Sequence, residues 1–585
     1  MQLKSIQCFL TLIVFAMKPT ISSLNGKKLR KCLTNKKFIT GAVGLTLLIL
    51  SIALHLSFRP LLKTLIQSKM NLHESSEFFR FWVNPSVPTE VGIYFFHILN
   101  PYDVQNGGKT IKVKEMGKYM FKQHYERQVI GFSDNLETVT FYERRYYVFD
   151  DELTTGSLDD NITVVNAPFA ALGSIVPKVI DGLPIPPIFS SLPYRAVNSF
   201  LDSHQQTLFI NTTVRDLLFG YKLDILDTAE GFANTLSRFG VSDFMPKEFF
   251  PNNSFGVLNG RNGTLDGPFE VYTGLSDTED MFGYFKSWKS QTKLDYWKAD
   301  SCNQINGTDG TIWPPFVDKT KRLYFYVPDV CRSLYVTFQE EAIHKGIKTY
   351  IYSAPDDVMA GKDTNPENEC FCMNDNNDYH CRLDGVYDMS QCQHDIPIIV
   401  SLPHFIGGDR RITDRIEGLK PDPKLHRPVI HVEPTLGAVI HGDSKLQMSI
   451  RVPKNDYIRG FENLADDLYV PLFWGYKKLG ISDDFASELK SRLFTPIIVV
   501  KYIIIMGMIT GFSMLFIALL LAFLCQTQVL SISLIDDEFS RVPTGDYSSS
   551  DGTTTDTIDT HKLCSNRSSY QELELLMKTS PETII

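Results

Sequence analysis

Charge is missing from two long stretches of this chain. Residues 38–58 hold His55 as their single ionisable side chain, and residues 502–525 carry no charge. Each is long enough to cross a hydrocarbon core of roughly 30 Å as a helix, which takes about 20 apolar residues. Also lacking are a nucleophile elbow, a zinc-binding helix motif and a phosphate loop. No local pattern therefore gathers the Ser, His and Asp residues into a catalytic set, and neither an enzyme nor a cofactor or metal is expected. The net charge of −9 offers no basic excess, so nucleic acid is not an expected partner.

Most of the basic charge near the first apolar run lies on one side of it. Lys27, Lys28, Arg30, Lys31, Lys36 and Lys37 precede it, against Arg59 and Lys63 just beyond. Lys and Arg resist translocation, which keeps the N-terminus in the cytosol, and a second crossing returns the C-terminus to the same side. The expected organisation is a cytosolic extension (1–37), a first transmembrane helix (38–58), a large extracellular or lumenal domain (59–495), a second transmembrane helix (496–525) and a disordered cytosolic tail (526–585). After Cys525 no basic residue appears until Arg541, so the first helix sets the orientation. Residues 1–24, with Lys4, an apolar stretch and Ser22 and Ser23, resemble a secretory signal. Cleavage there would invert the first helix, so an alternative start such as Met17, or an unstructured extension, is expected instead.

Two chemistries agree with that placement. Asn161, Asn211, Asn252, Asn262 and Asn306 each head an Asn-X-Ser/Thr sequon, the pattern of a glycosylated surface. Of ten cysteines, six lie between the apolar runs: Cys302, Cys331, Cys370, Cys372, Cys381 and Cys392. An even set in an oxidising compartment reads as three disulfides, for which about fifteen pairings exist. Bridges closing long loops stabilise by roughly 3 to 5 kcal/mol each. A zinc site at Cys370-Phe-Cys372 with His380 is the rival, disfavoured because thiolate sites belong mostly to reducing compartments. Cys32 and Cys525, at the cytosolic faces of the two helices, are candidates for palmitoylation.

Within the large domain, runs rich in Val, Ile, Tyr and Phe at 91–98, 139–149, 323–327, 348–352, 396–402, 429–432 and 446–452 predict strands. Helical spacing recurs at 196–209, 214–218 and 232–239, and Pro184, Pro186 and Pro187 must break any helix beginning near Pro168. The fold class is α+β: one sheet-rich domain with a helical subregion at about 165–240.

Several segments together resemble the class B scavenger receptor family: NPYDVQNG (100–107), DLLFGY (216–221), NGTDGTIWPPF (306–316), CRSLY (331–335), Cys370-Phe-Cys372, SLPHF (401–405) and VEPTLG (432–437). The resemblance runs from about residue 38 to 525. It implies the pairing Cys302–Cys370, Cys331–Cys392 and Cys372–Cys381, and an antiparallel β-barrel core with a helical apex and a lipid tunnel. It places the ligand-binding helix at about 196–209, making Phe200, Leu201, Asp202, His204 and Gln205 the apical candidates, with Arg195, Lys222 and Arg238 as basic neighbours. Lysines found in this helix in some members are absent, and residues 205–225 are similar to a lysosomal member that releases a hydrolase in acid. His204 titrates in the range such a release needs.

The tail holds Tyr570-Gln-Glu-Leu573, an endocytic signal of the form clathrin adaptors read, and a weaker dileucine candidate at Leu575-Leu576. Gly507 and Gly511 form a GxxxG pattern that permits close contact with the first helix or with another protomer, leaving a homo-oligomer open. The expected function is a receptor that binds lipoproteins or lipid ligands, among them fatty acids, cholesterol and phospholipids. It would transfer lipid to the membrane at the cell surface or in endosomes and lysosomes. The alternative is a trafficking receptor for a soluble acid hydrolase.

Overall fold

A computed structural model of the protein describes residues 35–85, 89–182, 186, 188, 191–222, 254–373, 379–393 and 395–539. Asn252, His394, Cys32, the helix expected at 232–239 and the tail signals at Tyr570, Leu573 and Leu575-Leu576 lie outside the described residues. The chain divides into two units, one of residues 49–508 and one joining residues 1–48 to 509–585.

The larger unit is built on β-strands. They are β1 (Thr89–Ile98), β2 (Ile111–Phe132), β3 (Thr138–Asp150), β4 (Asn161–Val165), β5 (Phe209–Thr213), β6 (Tyr221–Lys222), β7 (Ser254–Phe255), β8 (Leu265–Tyr272) and β9 (Phe285–Trp288). After them come β10 (Leu323–Val327), β11 (Arg332–His344), β12 (Ile347–Ser353), β13 (Val386–Asp388), β14 (Ile398–Ser401), β15 (Ile416–Glu417), β16 (Val429–Glu433), β17 (Ala438–Val452) and β18 (Leu468–Gly480). The main path runs β10-β11-β12-β16-β17-β18-β1-β2-β3-β8-β9, antiparallel throughout.

Its two edges meet through residues of the NGTDG segment. Phe285 N donates to Gly307 O at 2.9 Å on the β9 side, while Thr308 N donates to Tyr324 O and Tyr326 N to Thr308 O on the β10 side. A sheet closed this way leaves few unpaired backbone groups for another chain to pair with. The α+β class with a barrel-like core therefore stands.

Alternation along the strands separates inside from outside. On β2, Phe121 and Gln123 are buried while Lys122, His124 and Glu126 are exposed. The inner face thus carries Phe121, Gln123, Tyr125 and Arg127, opposite Phe149, Tyr147, Arg145 and Glu143 of β3.

Seven helices matter to the argument: α1 (Asn35–Lys69), α2 (Glu77–Val83), α3 (Ala167–Asp181), α4 (Ser191–Ser203), α5 (Val214–Phe219), α6 (Asp483–Leu489) and α7 (Thr495–Phe539). Side chains cap four of them: Ser76, Asn166, Thr213 and Ser482 accept from the backbone N–H of Phe78, Phe169, Asp216 and Phe485. Each satisfies a donor that the first turn leaves without an intrahelical partner. Helix α2 buries Phe79 and Trp82 against Phe141, Phe269, Phe285 and Tyr326, with Trp82 edge-on to Phe141 at 4.8 Å. Helices α3 and α5 pack into a second core with Phe95, Tyr119 and Phe121.

Both apolar runs are helical, and each is long and apolar enough to cross a membrane. Their bounds exceed the expected ones. Helix α1 carries Pro60 internally and continues to Lys69, and α7 continues to Phe539, into the part of the tail that composition assigns to disorder. In the smaller unit the two helices touch through glycine. A Cβ on Gly511 would lie 2.8 Å from Leu48 N and 2.9 Å from Gly44 O. The GxxxG pattern is thus engaged within the chain: Gly511 lies against α1, and in the larger unit Gly507 lies against Ser51.

Candidate functional site

The expected ligand helix is shorter than its periodicity suggests. Helix α4 ends at Ser203 because Gln205 takes a left-handed φ of 49°, and the chain reverses there. Gln205 N and Gln206 N donate back to Asp202 O and Leu201 O. Leu208 and Phe209 are then buried in the core, and Phe209 opens β5, which pairs with β4. The helix expected over 196–209 is corrected to that extent, since the apolar residues at its end serve a strand.

The five candidates on this segment divide. Leu201 is 2% exposed, a core residue rather than a ligand contact, and Phe200 packs against the same core. Asp202 is exposed and pairs with Arg459 at 2.5 Å. Beside it Asn198 exchanges two hydrogen bonds with the 457–459 backbone, so α4 is docked rather than free. His204 Nδ1 lies 2.9 Å from both Ser203 Oγ and Phe200 O, its ring 4.6 Å from that of Phe200. Gln205 is exposed, as are Arg195 and Lys222.

The six cysteines form three disulfides: Cys302–Cys370, Cys331–Cys392 and Cys372–Cys381. They surround Trp297, whose Nε1 donates to Cys331 O at 3.0 Å, and the buried Arg332. The Arg332 guanidinium lies over Phe371 at 4.0 Å and donates to Asn368 Oδ1 at 2.6 Å. Burial pulls its pKa down to about 10.

No group of His, Cys, Asp or Glu among the described residues is set to hold a metal ion. His380 instead bridges Asp467 Oδ2 (3.0 Å) and Tyr469 OH (2.5 Å), beside a polar cleft of about 370 Å³ that Arg411 and Arg415 also line.

Asn161, Asn211, Asn262 and Asn306 are all exposed, and register sets Asn161 opposite Thr213 and Asn211 opposite Thr163 on the β4–β5 pair.

The barrel interior carries groups that no local sequence pattern announced. Arg127 donates to Trp82 O, pairs with Asp309 at 2.8 Å and lies 3.4 Å from Glu143. Arg145 pairs with Glu143 at 2.7 Å and Asp329 at 3.1 Å, and Arg261 with Asp329 at 3.0 Å. The side chains of Arg145 and Asp329 stay 25% and 38% accessible, so water reaches this ion-pair network. Each carboxylate is held below its usual pKa range despite burial, Glu143 by Arg145 and Arg127, and Asp329 by Arg261 and Arg145.

On the outer face, Glu115 accepts from Trp474 Nε1 at 2.7 Å and His404 Nε2 at 2.8 Å, and Lys420 N donates to His404 Nδ1. This arrangement fixes the proton of His404 on Nε2. The histidine of SLPHF is thereby tied to two distant strands. Alternation on β2 was the signal that could have revealed the inner charges, but the Lys and Glu of its outer face hid the strand.

Comparison with known proteins agrees with this architecture. The CD36 family model matches residues 42–522. Lysosome membrane protein 2 of Homo sapiens is 30% identical over 476 residues, covering 80% of this chain and 91% of that protein. Scavenger receptor class B member 1 of Mus musculus is 31% identical over 434 residues, covering 74% and 79%. Sensory neuron membrane protein 2 of Manduca sexta is 30% identical over 469 residues, covering 78% and 88%. These relatives are receptors or membrane proteins by name, and none of the three is named as an enzyme. A match that runs from within the first apolar helix to within the second places this chain in the CD36 family.

Proposed function

We propose that the protein is a two-pass membrane receptor that binds lipoprotein or lipid ligands outside the cytosol and passes lipid to the bilayer. The observation that carries this reading is the closed antiparallel sheet, lying in sequence between two membrane-length helices. An apolar molecule crossing water exposes surface at about 0.8 kcal/mol per CH₂. A conduit inside the barrel lowers that barrier with no covalent chemistry.

Both tails are assigned to the cytosol, with residues 59–495 outside. The Tyr570/Leu573 signal then directs endocytosis through an adaptor. Uptake of labelled cholesteryl ester and fatty acid by cells expressing the chain tests this reading. Uptake above that of untransfected cells supports it, and equal uptake of both lipids would sink it.

A second reading, a trafficking receptor for a lumenal hydrolase, is favoured by similarity to a protein named for the lysosome membrane. In that case the exposed end of α4, Asp202 to Gln205, is the docking surface, with His204 responding to acid. Hydrolase co-precipitation at pH 7.4 and pH 5, with His204→Gln and Asp202→Asn, separates the two. Pairing unchanged in both variants at both pH values would remove α4 from the site.

A further inference from the structure

The inner face of the barrel holds one cation that its neighbours leave unmatched. Arg127, Arg145 and Arg261 each reach a carboxylate, whereas no carboxylate among the described residues pairs with Lys477. Register places Lys477 of β18 opposite Val91 of β1 and Ser444 of β17, and Val91 opposite Phe121 of β2. It therefore shares the inner face with Phe121, Gln123 and Tyr125. Its outward neighbour Lys478 pairs with Glu90 instead. The Lys477 ammonium lies 4.5 Å from the ring centroid of Tyr125.

Beside it are two polar atoms with nothing to bond. Gln123 is 3% exposed and its Oε1 has no partner, and the Tyr125 hydroxyl is buried and equally without one. Buried polar groups in folded proteins are hydrogen-bonded as a rule; the Tyr125 hydroxyl is free to donate to an incoming acceptor, whereas Gln123 Oε1 only accepts. The charged and titratable groups around Lys477 are few. Thr89 and Val91 of β1 and Ser444 of β17 are neutral. Across β2, Arg145 faces Tyr125 and Tyr147 faces Gln123, and Arg145 is already neutralised by Glu143 and Asp329. Burial alone lowers the Lys477 pKa, to about 8, which leaves the ammonium mostly charged at neutral pH.

We propose that Lys477, with the Tyr125 hydroxyl, is an anchor inside the barrel for the carboxylate head group of an acidic lipid, selecting it over neutral lipids of equal length. The lysine supplies the opposing charge and the tyrosine a donor. Phe121 and Val91, on the same face, suit the start of an alkyl chain. This inference rests on the lipid-receptor reading and assigns that reading a specificity-determining residue.

The test uses the full chain purified into lipid nanodiscs, with radiolabelled oleate and oleyl alcohol as paired probes and butyrate as a soluble carboxylate. A charge-assisted hydrogen bond is worth about tenfold or more in affinity. The wild type is therefore expected to bind oleate about tenfold tighter than the alcohol, with butyrate failing to displace it. Lys477→Met is expected to erase the preference while leaving alcohol binding unchanged, and Lys477→Arg to retain it. Unchanged alcohol binding shows that the methionine variant is folded.

Equal wild-type affinity for acid and alcohol, a preference that survives Lys477→Met, or displacement of oleate by butyrate would each overturn the anchor while leaving the lipid-receptor reading intact. Binding of neither long-chain probe would overturn both.

Discussion

At the scale of single residues, Gly307 shows how closure of the barrel depends on one missing side chain. Its φ is +100°, and a Cβ there would lie 2.3 Å from the Tyr324 carbonyl, at the point where it also accepts the hydrogen bond from Phe285. An alanine must adopt a backbone conformation L-residues avoid and displace a neighbouring strand as well. Gly307→Ala is expected to cost about 3 kcal/mol, read as a lower thermal midpoint. A midpoint within a degree of wild type would show that the closure is slack.

A second residue-level feature is the contact of His344, His431 and His441, whose ring centroids are 5.0 to 5.6 Å apart. Burial first, then His344 and His441, hold the His431 pKa at about 4, and burial lowers that of His441. Thr349, Lys345, Lys478, Asp443 and Asp483 supply the surrounding polar groups. In the unfolded chain these histidines bind protons near pH 6.5, whereas in the fold His431 does so near pH 4. The unfolded state therefore takes up more protons between those values, and stability falls as pH drops from about 6.5 towards 4. The thermal midpoint is expected to fall from pH 7 to pH 5, and by less in His431→Gln. An equal fall in both proteins would clear the cluster of responsibility.

At the scale of elements, the disulfides and the helix pair act on different parts of the chain. Cys302–Cys370 closes 68 residues, a loop for which the chain-entropy model gives about 4 kcal/mol. The double change Cys302→Ala/Cys370→Ala is expected to lose about that much in denaturant unfolding. In the smaller unit, Gly44 and Gly511 let the helix backbones approach, and a Cβ on Gly41 would lie 3.3 Å from Ala518 Cβ. Cysteines replacing Gly41 and Ala518 are expected to cross-link readily in one chain, and Gly511→Leu to abolish the product by forcing the helices apart. Cross-linking that persists with Gly511→Leu would mean the contact lies elsewhere. The element scale is also where the sequence misled. The apolar residues Leu208 and Phe209 fitted a helical period, yet burial of both and the cross-strand pairing of Phe209 with Val165 outweighed local preference.

For the whole molecule, topology is the property on which function depends. In the proposed topology, with residues 59–495 outside the cytosol, Asn161, Asn211, Asn252, Asn262 and Asn306 are open to glycosylation, whereas the sequon at Asn566 is not. Changing those five to Gln is expected to abolish the mass shift produced by endoglycosidase, and Asn566→Gln to leave it unchanged. A shift that needs Asn566 would reverse the orientation.

The sequence by itself determined the two membrane-length helices, the class of the fold and most of the Val/Ile-rich strands, because hydrophobic length and alternation are local quantities. It revealed neither β2 nor β18, since outward Lys and Glu and a Lys477-Lys478 pair interrupt their patterns. Tertiary structure alone decided which residues face one another. Arg127 and Asp309, or Lys477 and Tyr125, are at least 182 positions apart in the chain and meet because sheet closure fixes their register. Closure is a long-range event: it turns alternate side chains of separate strands into one enclosed surface, and only there does a charge without a partner become visible.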